Sequence, residues 1–249
     1  MTMINISHIA TIARRDLTRN LRQKNQIIGA IARPVIWIFF LGSGLGSGFT
    51  GLPLGFSYQQ YTFPGILAMN ILFSGIMSGA SILWDREFGF LKEIRIAPVS
   101  RSSILGGKVL AGTVLAMFHG LVVFAFFPLL GIRMTVLKAF ATLFFMFIAA
   151  ISVTSVGVLL ASIVTTIEGF GTVNNLLAMP LFALSGAMYP LSNAPDWLRY
   201  IAFLNPFTFA VNLLRGSILG VNGDPTADLA EIILFTLIVL FASARLMKA

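Results

Sequence analysis

An all-α, polytopic integral membrane protein is the fold class that this sequence predicts, on three observations. Of its 249 residues, 57% are hydrophobic and the mean hydropathy is +0.91, against an apolar share of roughly 45–50% in ordinary soluble domains. Several stretches approach or exceed the roughly 20 apolar residues with which a helix crosses about 30 Å of hydrocarbon. The period-2 alternation of barrel strands is absent. Helices satisfy their own backbone hydrogen bonds where no water can.

The elements follow in order. Residues 1–26 form an N-terminal unit. Within it Ile6, Ile9, Ile12, Ala13, Leu17 and Leu21 share one side of a helix over residues 5–25, and Arg14, Arg15, Arg19 and Arg22 fall mostly on the other. That pattern reads as an amphipathic helix lying in the membrane interface. The segment has no apolar core ending in a small-residue cleavage site, so it is expected to stay in the mature chain. Residues 27–247 form the membrane domain, with six spans near 27–49, 61–84, 104–128, 136–164, 170–189 and 229–246.

The first span is broken by Arg33-Pro34 and loosened by Gly42, Gly44, Gly46 and Gly48; Arg33 is expected to snorkel to the near interface. A short turn through Gly131, Arg133 and Lys138 makes a hairpin of the third and fourth spans. Between the fifth and sixth, Pro190, Pro195 and Pro206 divide residues 190–228 into aromatic-rich pieces, each too short to cross. These read as short outer-leaflet helices carrying Trp197, Tyr200, Phe203, Phe207 and Phe209.

Lysine and arginine counts orient the bundle. Thirteen lie up to Arg33, in residues 84–108 and from Arg245 onward, against four elsewhere. By the positive-inside rule both termini face the cytoplasm, which implies an inner (plasma) membrane protein. The net charge of +8 is thereby assigned to membrane boundaries, and nucleic acid is not an expected partner; membrane lipid is.

Residues 84–101, WDREFGFLKEIRIAPVSR, hold seven charged side chains in a chain only 10% charged. Asp85 is expected to cap a short helix that Pro98 ends. Phe88, Phe90, Leu91 and Ile94 fall on one arc; Asp85, Arg86, Lys92 and Glu93 fall opposite, with Glu87 and Arg95 intruding on the apolar side. Mixed charges and exposed aromatics fit a surface docked by another protein, with apolar anchors and registering rim charges. A solvated elbow on lipid headgroups is the plainer alternative.

The string DREFGFLKEIRIAPVSRSSILGGKVL, together with Gly186, Tyr189-Pro190-Leu191, Pro195, Trp197-Leu198, Asn205-Pro206 and Arg215 in that order, resembles the permease subunit of type-2 ABC exporters, the class that moves polysaccharides, lipids and drugs. The likeness covers nearly the whole chain. It implies that residues 85–98 are a coupling helix seated in a separate ATPase subunit, with Phe88 and Leu91 as anchors, Arg86, Glu87, Glu93 and Arg95 as registering charges, and Asp85 and Pro98 as its limits. Glu168, in the short loop before the fifth span, is a weaker second contact.

The resemblance further implies a homodimer working with two ATPase copies and an outer lid that includes Tyr189, Pro190, Trp197, Asn205 and Pro206. Amphiphilic cargo would pass near the first, second and fifth spans. Candidate residues along that path are Trp37, Phe40, Asn70, Phe73, Asn174, Asn175 and Phe182, the asparagines being suited either to a headgroup or to a neighbouring helix. Gly75-x-x-x-Gly79 in the second span favours close helix approach.

Chemistry by the chain alone is disfavoured. Its one glycine-lysine pair, Gly107-Lys108, lacks the rest of a phosphate-binding loop, so ATP and Mg are expected on the partner and no cofactor on this chain. No cysteine is present, and no metal site is expected. His8 and His119 have no carboxylate at helical spacing, and His119 is expected to hydrogen-bond a neighbouring helix. Glu231 is the one acid that reads as lying within a span. A membrane-embedded transferase, needing an acid–base pair or nucleophile, and an ion-coupled carrier or channel, needing more ionisable groups at depth, are the rival classes.

Overall fold

The computed structural model describes residues 5–22, 24–41, 44, 55–88, 100–221 and 224–246. Among these residues every regular element is a helix and there is no strand. Helix α1 (Ile6–Leu21) starts at Asn5, whose side chain accepts from the Ser7 amide. Its Ile12 and Ala13 are buried against the start of a later helix, α5 (Arg101–Phe124). Glycine makes that contact possible: a Cβ at Gly107 would lie 2.8 Å from the Cβ of Ile12.

Helix α2 (Lys24–Ile36) contains Pro34 and widens at once into a π turn, Trp37–Leu41. The proline cannot donate to the ladder, and a π turn is one way a helix absorbs such a fault. Phe40 falls in that turn, but its side chain lies outside the described residues, as do Gly42, Gly46 and Gly48.

The axis of the bundle is α3 (Tyr58–Ser78), with 15 of its 21 residues buried. It begins with a capping box in which the Ser57 hydroxyl accepts from the Gln60 amide and Gln60 accepts from the Ser57 amide. Helix α4 (Ala80–Glu87) continues it past Gly79, giving a span of 30 residues, Tyr58–Glu87. Helix α5 runs on through a 3-10 turn to Leu130, and Gly131, at φ +69°, reverses the chain into α6 (Val136–Ile163). That is the hairpin expected from the sequence. Helix α7 (Ile167–Ala183) and the last helix, α10 (Pro225–Leu246), complete the long elements.

Among the described residues four helices are long and apolar enough to cross a membrane. Helix α7 has 17 residues, about 25 Å at 1.5 Å per residue, so it falls short of the span expected at 170–189. The outer segment also departs from expectation. Helices α8 (Asp196–Leu204) and α9 (Pro206–Leu219) meet at a bend of 92°, and as one broken span they would raise the count to five.

Helix α8 exposes Trp197, Tyr200, Phe203 and Leu204. Helix α9 is instead a buried wedge between α3, α6 and α10. The Asn205 side chain makes the corner by accepting from the Phe207 amide and donating to the Leu181 carbonyl at 2.7 Å. Asn205, buried, and Pro206, partly buried, therefore build the joint between α8 and α9. Polar satisfaction explains the wedge: Arg215, 7% exposed, donates to the carbonyls of Gly186 and Ala187 and stacks 4.2 Å from the ring centre of Tyr61.

Helix α6 touches the α3–α4 span through backbone. A Cβ at Gly157 would fall 2.3 Å from the Ile76 carbonyl oxygen, and one at Gly79 would fall 2.2 Å from the Gly157 carbonyl oxygen. Gly75 meets Val153 in the same seam. The Gly75–Gly79 pair therefore serves packing within the subunit.

Because overpacking costs about 1–3 kcal/mol and backbone cannot yield as a side chain does, Gly157→Leu should lower the melting temperature of detergent-solubilised protein by several degrees. Gly171→Ala, where nothing lies within 4 Å, should leave it unchanged or raise it. Equal melting of Gly157→Leu and the unaltered protein would contradict the seam.

Candidate functional site: an ion knot beside an intramembrane cavity

Three elements distant in sequence bring their charges to one point. Lys108 lies eight residues into α5, and its Nζ donates to Asp16 Oδ2 of α1 at 2.6 Å and to Asp85 Oδ2 of α4 at 2.5 Å. The Ser81 hydroxyl and carbonyl lie at 3.3 and 3.4 Å from the same nitrogen. Asp16, Asp85 and Lys108 are all buried. Arg15 reaches both carboxylates and Arg19 donates to Asp85 Oδ1 at 3.3 Å, each from a half-exposed position.

A lone buried carboxylate would neutralise. Here each carboxylate accepts from two cations or more, and the lysine has a partner on each side. Burial opposes the charge of Asp16, yet the attraction and hydrogen bonds of Lys108 and Arg15 outweigh it and hold its carboxyl below the usual carboxylate range.

This geometry corrects the reading of Asp85. It does not cap a helix beginning at Arg86; it sits near the C-terminal end of α4, 3% exposed, and cannot reach a docking partner. Arg86 follows the same turn and donates to the Val164 carbonyl at the C-terminal end of α6, at 3.4 Å, where a cation also suits the helix dipole. Glu87 is exposed, and Phe88 is 72% exposed and stacked on Trp84 at 5.5 Å. Leu91, Glu93, Arg95 and Pro98 lie outside the described residues. Glu168 is exposed in the first turn of α7, which Thr166 caps.

The knot forms one end of a cavity of about 610 Å³ between α1, α2, α3–α4, α5 and α7. Asn70, Phe73, Asn174 and Asn175, four of the residues expected along a transport path, line it together. Arg19 and Ser81 belong to both knot and cavity. His119 lines it too; its Nδ1 lies 2.6 Å from the Ser74 hydroxyl, and its carbonyl accepts from Asn70 at 2.9 Å. His119 thus bonds a neighbouring helix, as expected from the sequence.

Phe182 and Trp37 are exceptions. Phe182 is 1% exposed in the core, edge-on to Trp37 with ring centres 5.8 Å apart, so neither ring lines the cavity. Tyr189 donates to the Ala183 carbonyl and Pro190 is buried, both within the turn that Arg215 holds. Trp197 remains on the surface. Glu231 is exposed, and the buried acid of α10 is Asp228, one turn earlier, 3.4 Å from Asn212 Nδ2.

Sequence reasoning missed Asp16 and Lys108. Two signals were present: an acid embedded in the arginine face of α1, and a lysine inside an apolar run, which by default marks a functional or paired position.

Removing one member of a buried pair costs about 3–5 kcal/mol, whereas replacing all members by neutral groups is often nearly neutral. Lys108→Met should therefore sharply lower the thermal stability of purified protein, and Asp16→Asn with Asp85→Asn in the same chain should restore most of it. Additive losses across that series would exclude a coupled knot. Since Asp16 is depressed, its contribution is present above the ordinary carboxylate pKa and is lost as pH falls through the lower folded value. Hydrogen exchange in α1 should thus stay slow at mildly acidic pH and accelerate, relative to intrinsic rates, only in stronger acid.

Comparison with known proteins gives this geometry its context. Residues 7–219 match the family described as ABC-2 type transporter. The chain is 30% identical over 213 residues to the protein named transport permease ycf38 of Cyanophora paradoxa, covering 84% of this chain and 73% of that one. It is 25% identical over 203 residues to the inner membrane transport permease YadH of Escherichia coli K12, covering 80% and 77%. To the multidrug ABC transporter permease YbhR of the same organism, so named as probable, it is 25% identical over 189 residues, covering 75% of this chain and 50% of that one. The chain belongs to the ABC-2 type transporter family, as a membrane-embedded transport permease subunit that is not itself the catalytic component.

Proposed function

We propose that the chain is the permease subunit of an ATP-driven exporter, in which two copies pair with two copies of a separate ATPase and move an amphiphile outward. Six spans, with both termini in the cytoplasm of an inner membrane, belong to the same reading. ATP and Mg bind the partner. Closure of the ATPases pushes on residues 86–98, and the bundle responds around the cavity.

The observation that carries this is the ion knot. It joins the two stems of the 89–99 elbow, through Asp85 before it and Lys108 after it, to α1 through Asp16. Force applied to the elbow therefore arrives at one stiff junction, and that junction shares Arg19 and Ser81 with the cavity wall. Phe88, exposed and braced by Trp84, is an apolar knob at the root of the elbow. The family membership and the relative named as a multidrug ABC transporter permease support the ATPase partner and outward movement of amphiphiles.

The test is co-purification and coupled transport with a cognate ATPase subunit. Phe88→Glu, or Leu91→Ala with Glu93→Lys and Arg95→Glu, should reduce ATPase association and coupled transport at least tenfold while membrane insertion stays intact; loss of one buried apolar anchor alone accounts for about that factor. Undiminished transport in both variants would remove the elbow from the coupling path. Uphill transport by the chain without any ATPase would overturn the class.

A further inference from the structure

Two arginines, Arg19 and Arg33, line the cavity, and no carboxylate does. Arg19 is already engaged by Asp85 and Asp16. Arg33 is different: among the described residues no ion pair engages it, and its guanidinium lies over the ring of Phe73 at 4.8 Å from the centroid.

Phe73 stands fifteen residues after Tyr58 and fourteen before Glu87, at the middle of the 30-residue span, about 21–23 Å from either end at 1.5 Å per residue. Arg33 has therefore not snorkelled to an interface, contrary to the sequence expectation. A cation held at mid-depth and facing a cavity is expensive unless something compensates it, and such groups mark the paths of polar cargo. The ring face of Phe73 compensates in part.

The rest of the wall is divided by chemistry. Ser74, His119, Asn70, Asn174 and Asn175 form a polar belt beside Arg33, while Phe73, Met77, Leu115, Ile167 and Trp84 supply apolar surface. Asn174, 6% exposed, keeps a side-chain oxygen with no hydrogen-bond partner, a place for an O–H or N–H group of a bound molecule. From Asn70 to Ser81 the wall rises about 16 Å along one helix, long enough for a headgroup and part of an acyl chain.

We propose that this cavity binds an amphiphile by an anionic headgroup, a phosphate or carboxylate, with Arg33 as its countercharge at mid-membrane. The planar guanidinium offers a fork of donors to either anion. Neutralising the head where the dielectric is lowest removes the main barrier to carrying it across, and the apolar wall takes the chain. This rests on reading the chain as a permease for amphiphiles, but it requires neither the ATPase nor nucleotide.

The test is binding to the full chain in nanodiscs of neutral phosphatidylcholine, without ATPase. Trp37→Phe and Trp197→Phe leave Trp84, which lines the cavity, as the one tryptophan. The probes are 11-bromoundecyl phosphate and 11-bromoundecyl trimethylammonium, whose bromine quenches tryptophan on contact. The phosphate should quench at a concentration about tenfold lower or better, the value of one charge-assisted contact.

Arg33→Gln should abolish that preference and Arg33→Lys should retain part of it. Arg14→Gln with Arg22→Gln, on the basic face of α1, should leave it intact. Equal quenching by the two probes, a preference that follows Arg14 and Arg22, or displacement by inorganic phosphate as potent as by dodecyl phosphate would each overturn the proposal. Because no nucleotide enters the measurement, its failure is separate from failure of the ATPase coupling, which the co-purification experiment reads.

Discussion

The contact between Lys108 and the two carboxylates of Asp16 and Asp85 is the constraint on which the meeting of α1, α4 and α5 depends. Each of the three side chains would be unstable where it sits without the others, because the cost of removing an ion from water is repaid only by close, well-directed opposite charge. The consequence is geometric before it is energetic. Helix α1 has no covalent reason to lie along α5, and a charged stretch of sequence separates α4 from α5; the knot makes the three one body. Gly106 and Gly107 let α1 approach closely enough for Asp16 to reach the lysine of the next position. The sequence Gly106-Gly107-Lys108, uninformative as a nucleotide motif, is thus a packing notch followed by its electrostatic pin.

The seam between α6 and the α3–α4 span solves the opposite problem. Within hydrocarbon there is no apolar driving force between helices, so association relies on close van der Waals approach. Gly79 and Gly157 permit backbone-to-backbone contact, and the hydroxyls of Ser78, Ser155 and Ser162 bond back to their own helices, adding no unsatisfied group to the seam. Polar pairing at one end and small-residue packing in the middle are complementary ways to fix helices where water gives little help.

The long helices were legible because hydropathy alone decides whether a 20-residue stretch can enter a membrane. The hairpin at Gly131 and the breaks at Pro190, Pro195 and Pro206 were legible because glycine and proline act locally. What pairs with what was not. Asp85 looked like a helix cap from its neighbours, and only the fold shows that Lys108, twenty-three residues on, claims it. Asn205-Pro206 looked like surface punctuation, yet the carbonyl of Leu181 and the wedge of α9 put it inside. Of the expected path, Asn70, Phe73, Asn174 and Asn175 do face one cavity, since polar residues in apolar helices have few places to go. Phe182 could not be separated from them, because a ring that packs and a ring that lines a cavity look alike in a sequence.

The two arginines of the membrane interior show how surroundings assign roles to the same side chain. Arg215 is enclosed: two carbonyls accept from its guanidinium, Tyr61 covers a face, and the turn at Gly186 closes over it. Its charge is spent on holding that turn against α3 and α9, and burial to 7% exposure leaves no room for a ligand. Arg33 has one aromatic face and an open side toward the cavity. A structural cation in a low dielectric gains by collecting every available acceptor, as Arg215 does. One left with donors to spare keeps its strongest interaction for something that comes and goes, and that difference in enclosure separates a structural arginine from one placed to meet cargo.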